Sequence, residues 1–197
     1  MPIVFVDYAF KEIEDIQIVT TEGFQSSREA VKFLYHKGRR KIAYINFPRD
    51  AQVTRHRCEG YKRGLADCDL PYDPDLVYYP SSSDDIDVRD MGYHGAKALM
   101  TANTKADAIM VAADPLAVGA MKYLKQQGIK IPEEVSLVGF DNNEICEIIG
   151  PALTTIAQPI KKIGTLAAEI LFNKINGIEN TQERKVFDGE LIQRDST

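Results

Sequence analysis

The sequence predicts an α/β fold of doubly wound parallel sheets with helices on both faces. Short apolar runs such as 108–112 and 135–140 lack polar alternation, which is typical of strands buried on both faces. Between these runs, apolar residues follow the helical period and the connections are short. The 197 residues are 44% hydrophobic and 27% charged, a composition that indicates a folded protein rather than a disordered tail.

The strands are predicted from apolar and β-branched runs that end at a turn-forming residue. Pro48 stops the second run, and Pro71 and Pro74 mark the loop before the third. The last two runs form either a strand pair or one broken strand. The predicted strands are 3–7, 41–47, 76–79, 108–112, 135–140, 153–157, 185–187 and 190–192.

The helices are predicted from apolar faces and from residues that begin or end a helix. Ser26 or Ser27 caps the first helix, and Gly38 ends it. Asp114 and Pro115 begin the fourth, as an N-cap acid followed by a first-turn proline. The last helix carries an apolar stripe at the 3.6-residue period. The predicted helices are 26–38, 53–68, 88–102, 114–128 and 160–175.

Charge and length exclude two classes of protein. The net charge of −5 and the pI near 5.3 argue against nucleic-acid binding by the chain as a whole, because phosphates need clustered cations. No apolar run reaches the roughly 18–20 residues of a membrane span. The basic stretch 37–41 has two interpretations, a nucleic-acid patch or the cation-rich end of a helix.

The sequence offers little support for a metal, a cofactor or an enzyme. The cysteines Cys58, Cys68 and Cys146 are odd in number and lack metal-site spacing, so buried thiols in a reducing cytoplasm are expected. The three histidines stand singly. Nucleophile-elbow, P-loop and dinucleotide motifs are missing, and we therefore predict no cofactor and no catalysis.

Polar residues follow several predicted strands, where ligands of an open parallel sheet bind. The five predicted effector-binding residues are Asp7, Arg57, Asp114, Asp141 and Gln158. Carboxylates accept hydrogen bonds from hydroxyls and Arg donates in a fixed fork, so the set suits a neutral sugar better than a phosphate. Each also has a structural interpretation: Asp114 and Asp141 as helix caps, and Arg57 as part of a solvated helix face.

Five segments resemble the lactose-repressor/galactose-repressor (LacI/GalR) family of bacterial transcription regulators, in the family's order and over essentially the whole chain. They include Val-Ser-Leu-Val-Gly-Phe-Asp at 135–141 and Pro-Ala-Leu-Thr-Thr-Ile-Ala-Gln-Pro at 151–159. The other three are 37–45, 57–61 and 114–121. The resemblance implies an effector-binding, periplasmic-binding-protein-like core of two lobes and a repressor in the cytoplasm. It also implies the same five residues as effector contacts, with Ala113 as the alternative to its neighbour Asp114.

The resemblance also implies a division of the chain. Residues 1–40 would be a remnant of the N-terminal lobe, 41–157 the C-terminal lobe, 158–180 the return, and 181–197 the final crossover and C-terminal strand. The N-terminal lobe would be incomplete and the helix-turn-helix missing, so operator DNA would be bound only through that missing head. A homodimer is implied, with the apolar turn Ile145, Cys146, Ile148 and Ile149 either at its interface or packed on its own lobe.

Two departures leave the effector open, with a sugar favoured. Ala51 and Val53 stand where several members have polar contacts, and the polar segment 83–87 replaces an aromatic that often stacks on the ligand. The sequence therefore supports an effector-sensing domain first, and a sugar-binding protein of a transport system second. A sugar-modifying enzyme is a third hypothesis, disfavoured by the missing motifs.

Overall fold

The computed structural model describes residues 1–7, 17–48, 52–80, 87–101, 105–178 and 184–197, and for 52–54 the backbone alone. The strands are β1 Val4–Val6, β2 Gln17–Thr21, β3 Ile42–Ile45, β4 Val77–Tyr78, β5 Ala108–Val111, β6 Ser136–Asp141, β7 Thr154–Ala157, β8 Arg184–Phe187 and β9 Glu190–Ile192. The helices are α1 Gly23–His36, α2 Gln52–Asp67, α3 Val88–Thr101, α4 Asp114–Gln126, α5 Ile145–Ile148 and α6 Ile160–Ile175.

The strands form two sheets. The larger has the order β4-β3-β5-β6-β7-β9, and its neighbours are parallel except for β7 and β9, which are antiparallel. The smaller has the order β1-β2-β8 and is parallel throughout. The predicted α/β fold with parallel sheets is confirmed. Parallel strands bring their carboxyl ends to one edge of a sheet, which is where the polar residues of interest stand.

The larger sheet carries the main core. Every residue of β3 and β5 is buried, as their unbroken apolar runs predict. Helix α1 packs on α2, and α3 packs on α4. Tyr44 stacks on Tyr61 with 5.1 Å between ring centroids. The Tyr61 hydroxyl donates to the Ile42 carbonyl oxygen at 2.8 Å, which satisfies a buried polar group and ties α2 to β3.

The smaller sheet has a small core of its own. Val19 of β2 packs against Ile163 and Ile170 of α6, and these three are the buried members of the cluster. The apolar stripe predicted on the last helix is thus buried only in part. Ile160 is 62% exposed and Ile175 is 65% exposed, so the two ends of α6 contribute little to this core.

The first helix begins earlier than predicted. The Glu22 side chain caps it by accepting a hydrogen bond from the Phe24 N–H at 3.0 Å. Ser26, a predicted cap, lies inside the helix and donates its hydroxyl to the Glu22 carbonyl oxygen at 2.6 Å. Ser27, the alternative cap, is completely buried. The predicted end was right, since Gly38 has the left-handed φ of 89° that terminates helices.

Two strand predictions need comment. Strand β2 was not predicted at all. The final pair, β8 and β9, lie in different sheets, so the broken-strand interpretation is confirmed and the strand pair is wrong. The chain leaves the smaller sheet after Phe187 and enters the larger one at Glu190. Within the described helices, none is long and apolar enough to cross a membrane.

Candidate functional site

Strand β6 ends in a turn that exposes polar groups at the carboxyl edge of the larger sheet. Asp141 has a φ of 113° and Asn142 a φ of 57°, two left-handed conformations in succession at non-glycine residues. Such conformations are unfavourable for residues with a Cβ, and they persist only where the surroundings hold them. The Asp141 side chain is 23% exposed, so it lies at the boundary between the core and the edge.

Arg57 reaches this edge from α2 and is buried, at 7% exposed. One guanidinium nitrogen donates to the Ala112 carbonyl oxygen at the end of β5. A second lies 3.5 Å from the Asp141 carboxylate. The central guanidinium carbon lies 3.6 Å from the centroid of the Phe140 ring. A buried cation is tolerated only when paired in this way, and the stacking restricts the direction in which the fork points.

A glycine makes room for the arginine. A Cβ placed on Gly23 would lie 3.1 Å from Arg57 Cγ, a tight contact. The start of α1 therefore packs directly against the aliphatic part of the Arg57 side chain.

Gln158 reaches Asp141 from the end of β7. Its amide nitrogen donates to the carboxylate at 2.6 Å. Burial raises the pKa of Asp141 to about 6, opposed by the Arg57 charge and by the Gln158 hydrogen bond. The charges of Asp114 and Asp7 raise it further. The side-chain amide oxygen of Gln158, Oε1, is buried and accepts no hydrogen bond from any described residue.

Asp7 stands at the end of β1 in the smaller sheet. Its φ is 58°, and its carboxylate accepts hydrogen bonds from the Thr20 hydroxyl at 3.0 Å and the Thr21 N–H at 3.4 Å. Its negative charge is the smallest of the influences that raise the pKa of Asp141. The structure thus brings Arg57, Asp141 and Gln158 into contact with one another, whereas Asp7 stands in the smaller sheet, bonded to Thr20 and Thr21.

Asp114 differs from the other four, since it is 0% exposed. The predicted capping role is wrong: Ala113 is the N-cap of α4, and no side chain caps there. The Asp114 carboxylate instead accepts hydrogen bonds from the Thr155 hydroxyl at 2.6 Å and the Asn143 N–H at 2.8 Å. Burial raises its pKa, while those hydrogen bonds act in the opposite direction.

Sequence reasoning missed several polar neighbours. Thr155 was taken only as a strand residue, although two consecutive threonines in a central buried strand indicate internal hydrogen bonding. Asn46, 1% exposed, follows β3 and hydrogen-bonds the Tyr79 hydroxyl. That hydroxyl also lies 3.2 Å from the Cys58 sulfur, and burial raises the pKa of Tyr79 to about 12. A polar residue directly after a buried strand was the available signal for Asn46.

The apolar turn at 145–149 and the three cysteines are the other residues singled out from the sequence. In the apolar turn, Cys146 is completely buried in the chain's own core, Ile148 is 76% exposed, and Ile145 and Ile149 are half-buried. All three cysteines are free and buried, as predicted.

The basic stretch is engaged in internal contacts. Arg39 donates to the Pro132 carbonyl oxygen, and the Arg40 guanidinium lies over the Tyr35 ring. These contacts favour the helix-end interpretation over a nucleic-acid patch.

The site therefore offers carboxylate and amide acceptors around one buried arginine. Such a set can hold hydroxyl groups through several directed hydrogen bonds. Among the described residues there is no group of three histidine, cysteine or acidic side chains that could hold a metal ion.

The chain matches known proteins over most or all of its length. The family model for the periplasmic binding protein-like domain matches residues 31–197. The transcriptional repressor CytR of Escherichia coli K12 is 30% identical over 196 residues, which cover 100% of this chain and 56% of that protein. This chain therefore spans slightly more than half of that curated relative.

Two solved structures are similar and hold sugars. The complex of the transcriptional regulator CelR with cellobiose has a TM-score of 0.89 at 27% identity, covering 98% of this chain and 58% of the other. A LacI family regulator from Enterococcus faecium with bound ribose has a TM-score of 0.84 at 28% identity, covering 100% of this chain and 70% of the other.

Proposed function

Since the chain belongs to the LacI family of transcription regulators, we propose that it binds a sugar effector between its two sheets and thereby controls a DNA-binding head. The observation that carries this proposal is the cluster of Arg57, Asp141 and Gln158, which contact one another at the carboxyl edge of the larger sheet. We propose Asp7, Arg57, Asp141 and Gln158 as direct contacts.

The chemistry of the cluster supports a neutral, hydroxyl-rich ligand. Two carboxylates accept hydrogen bonds, and one arginine donates. The buried Oε1 atom of the Gln158 side chain, which accepts no hydrogen bond from a described residue, would accept a further one. An anionic ligand would meet the charges of Asp7 and Asp141. The sugars in the two similar structures, cellobiose and ribose, have this hydroxyl-rich character.

The lobe division is proposed with one change from the sequence prediction. Helix α1 packs on α2, and its residues Ala30, Val31 and Leu34 belong to the core of the larger sheet. We therefore place the first crossing near Glu22 rather than at residue 40. We keep the other proposed boundaries, the return at 158–180 and the final crossover within 181–197, because α6 packs on the smaller sheet and β9 joins the larger.

Control of DNA binding would follow from a change in the arrangement of the lobes. A ligand that contacts both sheets stabilises the arrangement in which both sets of contacts form, and shifts the population toward it. In the whole regulator, this shift would alter the spacing of two DNA-reading heads on operator DNA in the cytoplasm.

A homodimer is part of the proposal. Ile148 is 76% exposed, and beside Ile149 lies a surface cavity of about 380 Å³ that α4 lines with Val118 and Met121. The cavity is also lined by Lys122, Lys125 and Gln126. Exposed apolar surface beside a cavity with an apolar part and a polar rim suits a two-fold, self-complementary contact. Ile148→Asp should then shift the protein from dimer to monomer in sedimentation velocity. An unchanged sedimentation coefficient would remove this surface from the proposal.

The transport alternative is not favoured, because the relative and the similar structures described above are transcription regulators. The same comparisons support a non-enzymatic role.

The test is calorimetric titration of the 197-residue chain with ribose, cellobiose, glucose and galactose. We expect saturable binding of at least one sugar, and a loss of about tenfold or more in Arg57→Ala, since a hydrogen bond to a charged group contributes about 1.5–3 kcal/mol. Arg63→Ala is the matched control, because Arg63 lies on the same helix but is 60% exposed and pairs with Asp67. Equal affinities in Arg57→Ala and the parent protein would contradict the site.

A further inference from the structure

Asp114 is a completely buried carboxylate whose two oxygens are both engaged within the protein. One oxygen accepts the Thr155 hydroxyl at 2.6 Å, and the other accepts the Asn143 N–H at 2.8 Å. At 0% exposed, it presents no surface to a ligand. Direct contact with an effector would require these hydrogen bonds to break.

The carboxylate lies directly against the last residues of β6. A Cβ placed on Gly139 would lie 2.2 Å from an Asp114 carboxylate oxygen, so only glycine permits this approach. The contact is therefore built into the strand that carries Asp141 two residues later.

The turn after β6 is hydrogen-bonded to Asp114 and to its partner Thr155. The Asn143 N–H donates to Asp114, and the Asn142 N–H donates to the Thr155 hydroxyl oxygen at 3.4 Å. The intervening left-handed conformations of Asp141 and Asn142 are unfavourable in isolation. The hydrogen bonds of the Asn142 and Asn143 N–H groups lie where they can hold these conformations, which set the direction of the Asp141 side chain.

The partners of Asp114 also define its charge state. The Thr155 hydroxyl, the Asn143 N–H, the Cys146 thiol and the Phe140 N–H all donate to it. An ionised carboxylate, which only accepts, suits these donors better than a protonated one, which must itself donate a hydrogen. Four groups act on the Asp141 carboxyl group. Arg57 on α2 pairs with it, and Gln158 after β7 donates a hydrogen bond to it. The negative charges of Asp114 on α4 and Asp7 after β1 raise its pKa. Asp114 thus contributes one of the negative charges that raise the pKa of Asp141.

We propose that Asp114 is a positioning residue, which holds the 141–143 turn so that Asp141 faces Arg57 and Gln158, and which does not itself touch the effector. The effect on the effector rests on the proposed function. The positioning itself is a property of the free protein and can be measured without a ligand.

The first experiment uses NMR on the free 197-residue chain. In Asp114→Asn, the Asn143 amide should lose its charge-assisted hydrogen bond, so its proton should move upfield and exchange at least about tenfold faster. The Asp141 carboxyl carbon should titrate with a pKa below the parent's value of about 6, because one negative charge is gone. Thr155→Val should also speed the Asn143 exchange, whereas Thr155→Ser, which keeps the hydroxyl, should not.

An unchanged Asn143 amide together with an unchanged Asp141 titration in Asp114→Asn would overturn the proposal. Should that variant fail to fold, the Thr155→Val and Thr155→Ser pair decides the question by the same Asn143 exchange measurement. Faster exchange in Val but not in Ser supports the proposal, and equal exchange in both overturns it.

The second experiment asks whether Asp114 acts through Asp141, by a double-mutant cycle with ribose and cellobiose as ligands. Asp114→Asn should weaken binding at least about tenfold in the parent, and should have less effect in an Asp141→Asn background. Fully additive losses would indicate an independent contact and overturn the positioning role. If neither of these sugars binds the parent, the cycle is run with glucose or galactose. If none of the four sugars binds, the proposed function loses its support, while the NMR measurements still decide the role of Asp114.

Discussion

Arg57 and Asp141 face each other across the carboxyl edge of the larger sheet, with 3.5 Å between a guanidinium nitrogen and a carboxylate oxygen. The arginine comes from α2 and the aspartate from the end of β6. Neither group is free to move independently, since Arg57 also bonds the Ala112 carbonyl oxygen and Gln158 bonds Asp141. The pair links a helix to two neighbouring strands at the point where a ligand would enter.

Replacement of this arginine by lysine should be costly, although it conserves the charge. An ammonium group cannot reproduce the fork that reaches Ala112 and Asp141 while it stacks on Phe140. We expect Arg57→Lys to lower the free energy of unfolding by about 1–3 kcal/mol, the range for buried polar groups left unpaired. Urea denaturation measures this, and Arg63→Lys on the exposed face of α2 is the control. Equal losses in both variants would contradict it.

The raised pKa of Asp141 predicts how stability varies with pH. The carboxyl group binds its proton more tightly in the folded state, where its pKa is about 6, than at its ordinary 3.8. Its stabilising contribution is therefore fully present below about pH 4 and is lost as the pH rises through 6. The difference corresponds to about 3 kcal/mol, at 1.36 kcal/mol per pH unit.

Asp141→Asn should flatten this part of the stability profile, measured by urea denaturation between pH 4 and pH 7. Some slope should remain, because burial raises the pKa of Asp114 as well. Asp195→Asn, at an exposed position, is the control. A profile in Asp141→Asn that parallels the parent's would show that Asp141 does not titrate in this range.

A strand could be predicted from the sequence where its own residues form an apolar run. The residues of β3 and β5 form unbroken apolar runs and those of β6 are mostly apolar, as burial on both faces of a sheet requires. Strand β2 was missed because its residues Gln17–Thr21 mix polar and apolar side chains and only the middle of the strand is strongly apolar. Its buried Val19 packs against Ile163 and Ile170 of α6, more than 140 residues later in the chain, so no local pattern could show this contact.

The site was predictable in position but not in detail. Arg57 stands among exposed Arg55 and His56, which favoured a solvated face. However, it precedes Cys58 by one residue and Tyr61 by four, and both are buried, so the helical phase placed it on the inner face. No comparable local signal exists for Asp114, whose orientation depends on a threonine 41 residues away.

Close packing of α3 on α4 depends on glycine. A Cβ on Gly119 would lie 1.7 Å from the Arg89 carbonyl oxygen, and one on Gly92 would lie 1.9 Å from the Leu116 carbonyl oxygen. Both contacts are with backbone, so the helices must separate to admit a methyl group. We expect Gly119→Ala to destabilise the protein by about 3 kcal/mol or more, at the upper end of overpacking effects.

Gly164→Ala in α6 is the matched control for Gly119→Ala. Nothing lies within 4 Å of a Cβ placed there, and the site is exposed within a helix. Alanine should therefore stabilise the protein by up to about 1 kcal/mol, through helix propensity alone. Thermal unfolding followed by circular dichroism should show shifts of opposite sign. A lower melting temperature in both variants would mean that helix spacing is not what Gly119 provides.

Near the C-terminus, the buried side chain of Ser196 joins β6 to β7. The Ser196 hydroxyl donates to the Leu137 carbonyl oxygen at 2.6 Å and accepts the Thr154 N–H at 2.8 Å, and the residue is 0% exposed. Ser196→Ala leaves both backbone groups without this partner, which should cost about 1–3 kcal/mol of unfolding free energy. Urea denaturation tests this against Asp195→Ala at the exposed neighbour. Because β6 carries Asp141, hydrogen exchange at the Leu137 amide should also accelerate in Ser196→Ala, and protection equal to the parent's would show that the hydroxyl does not secure the strand.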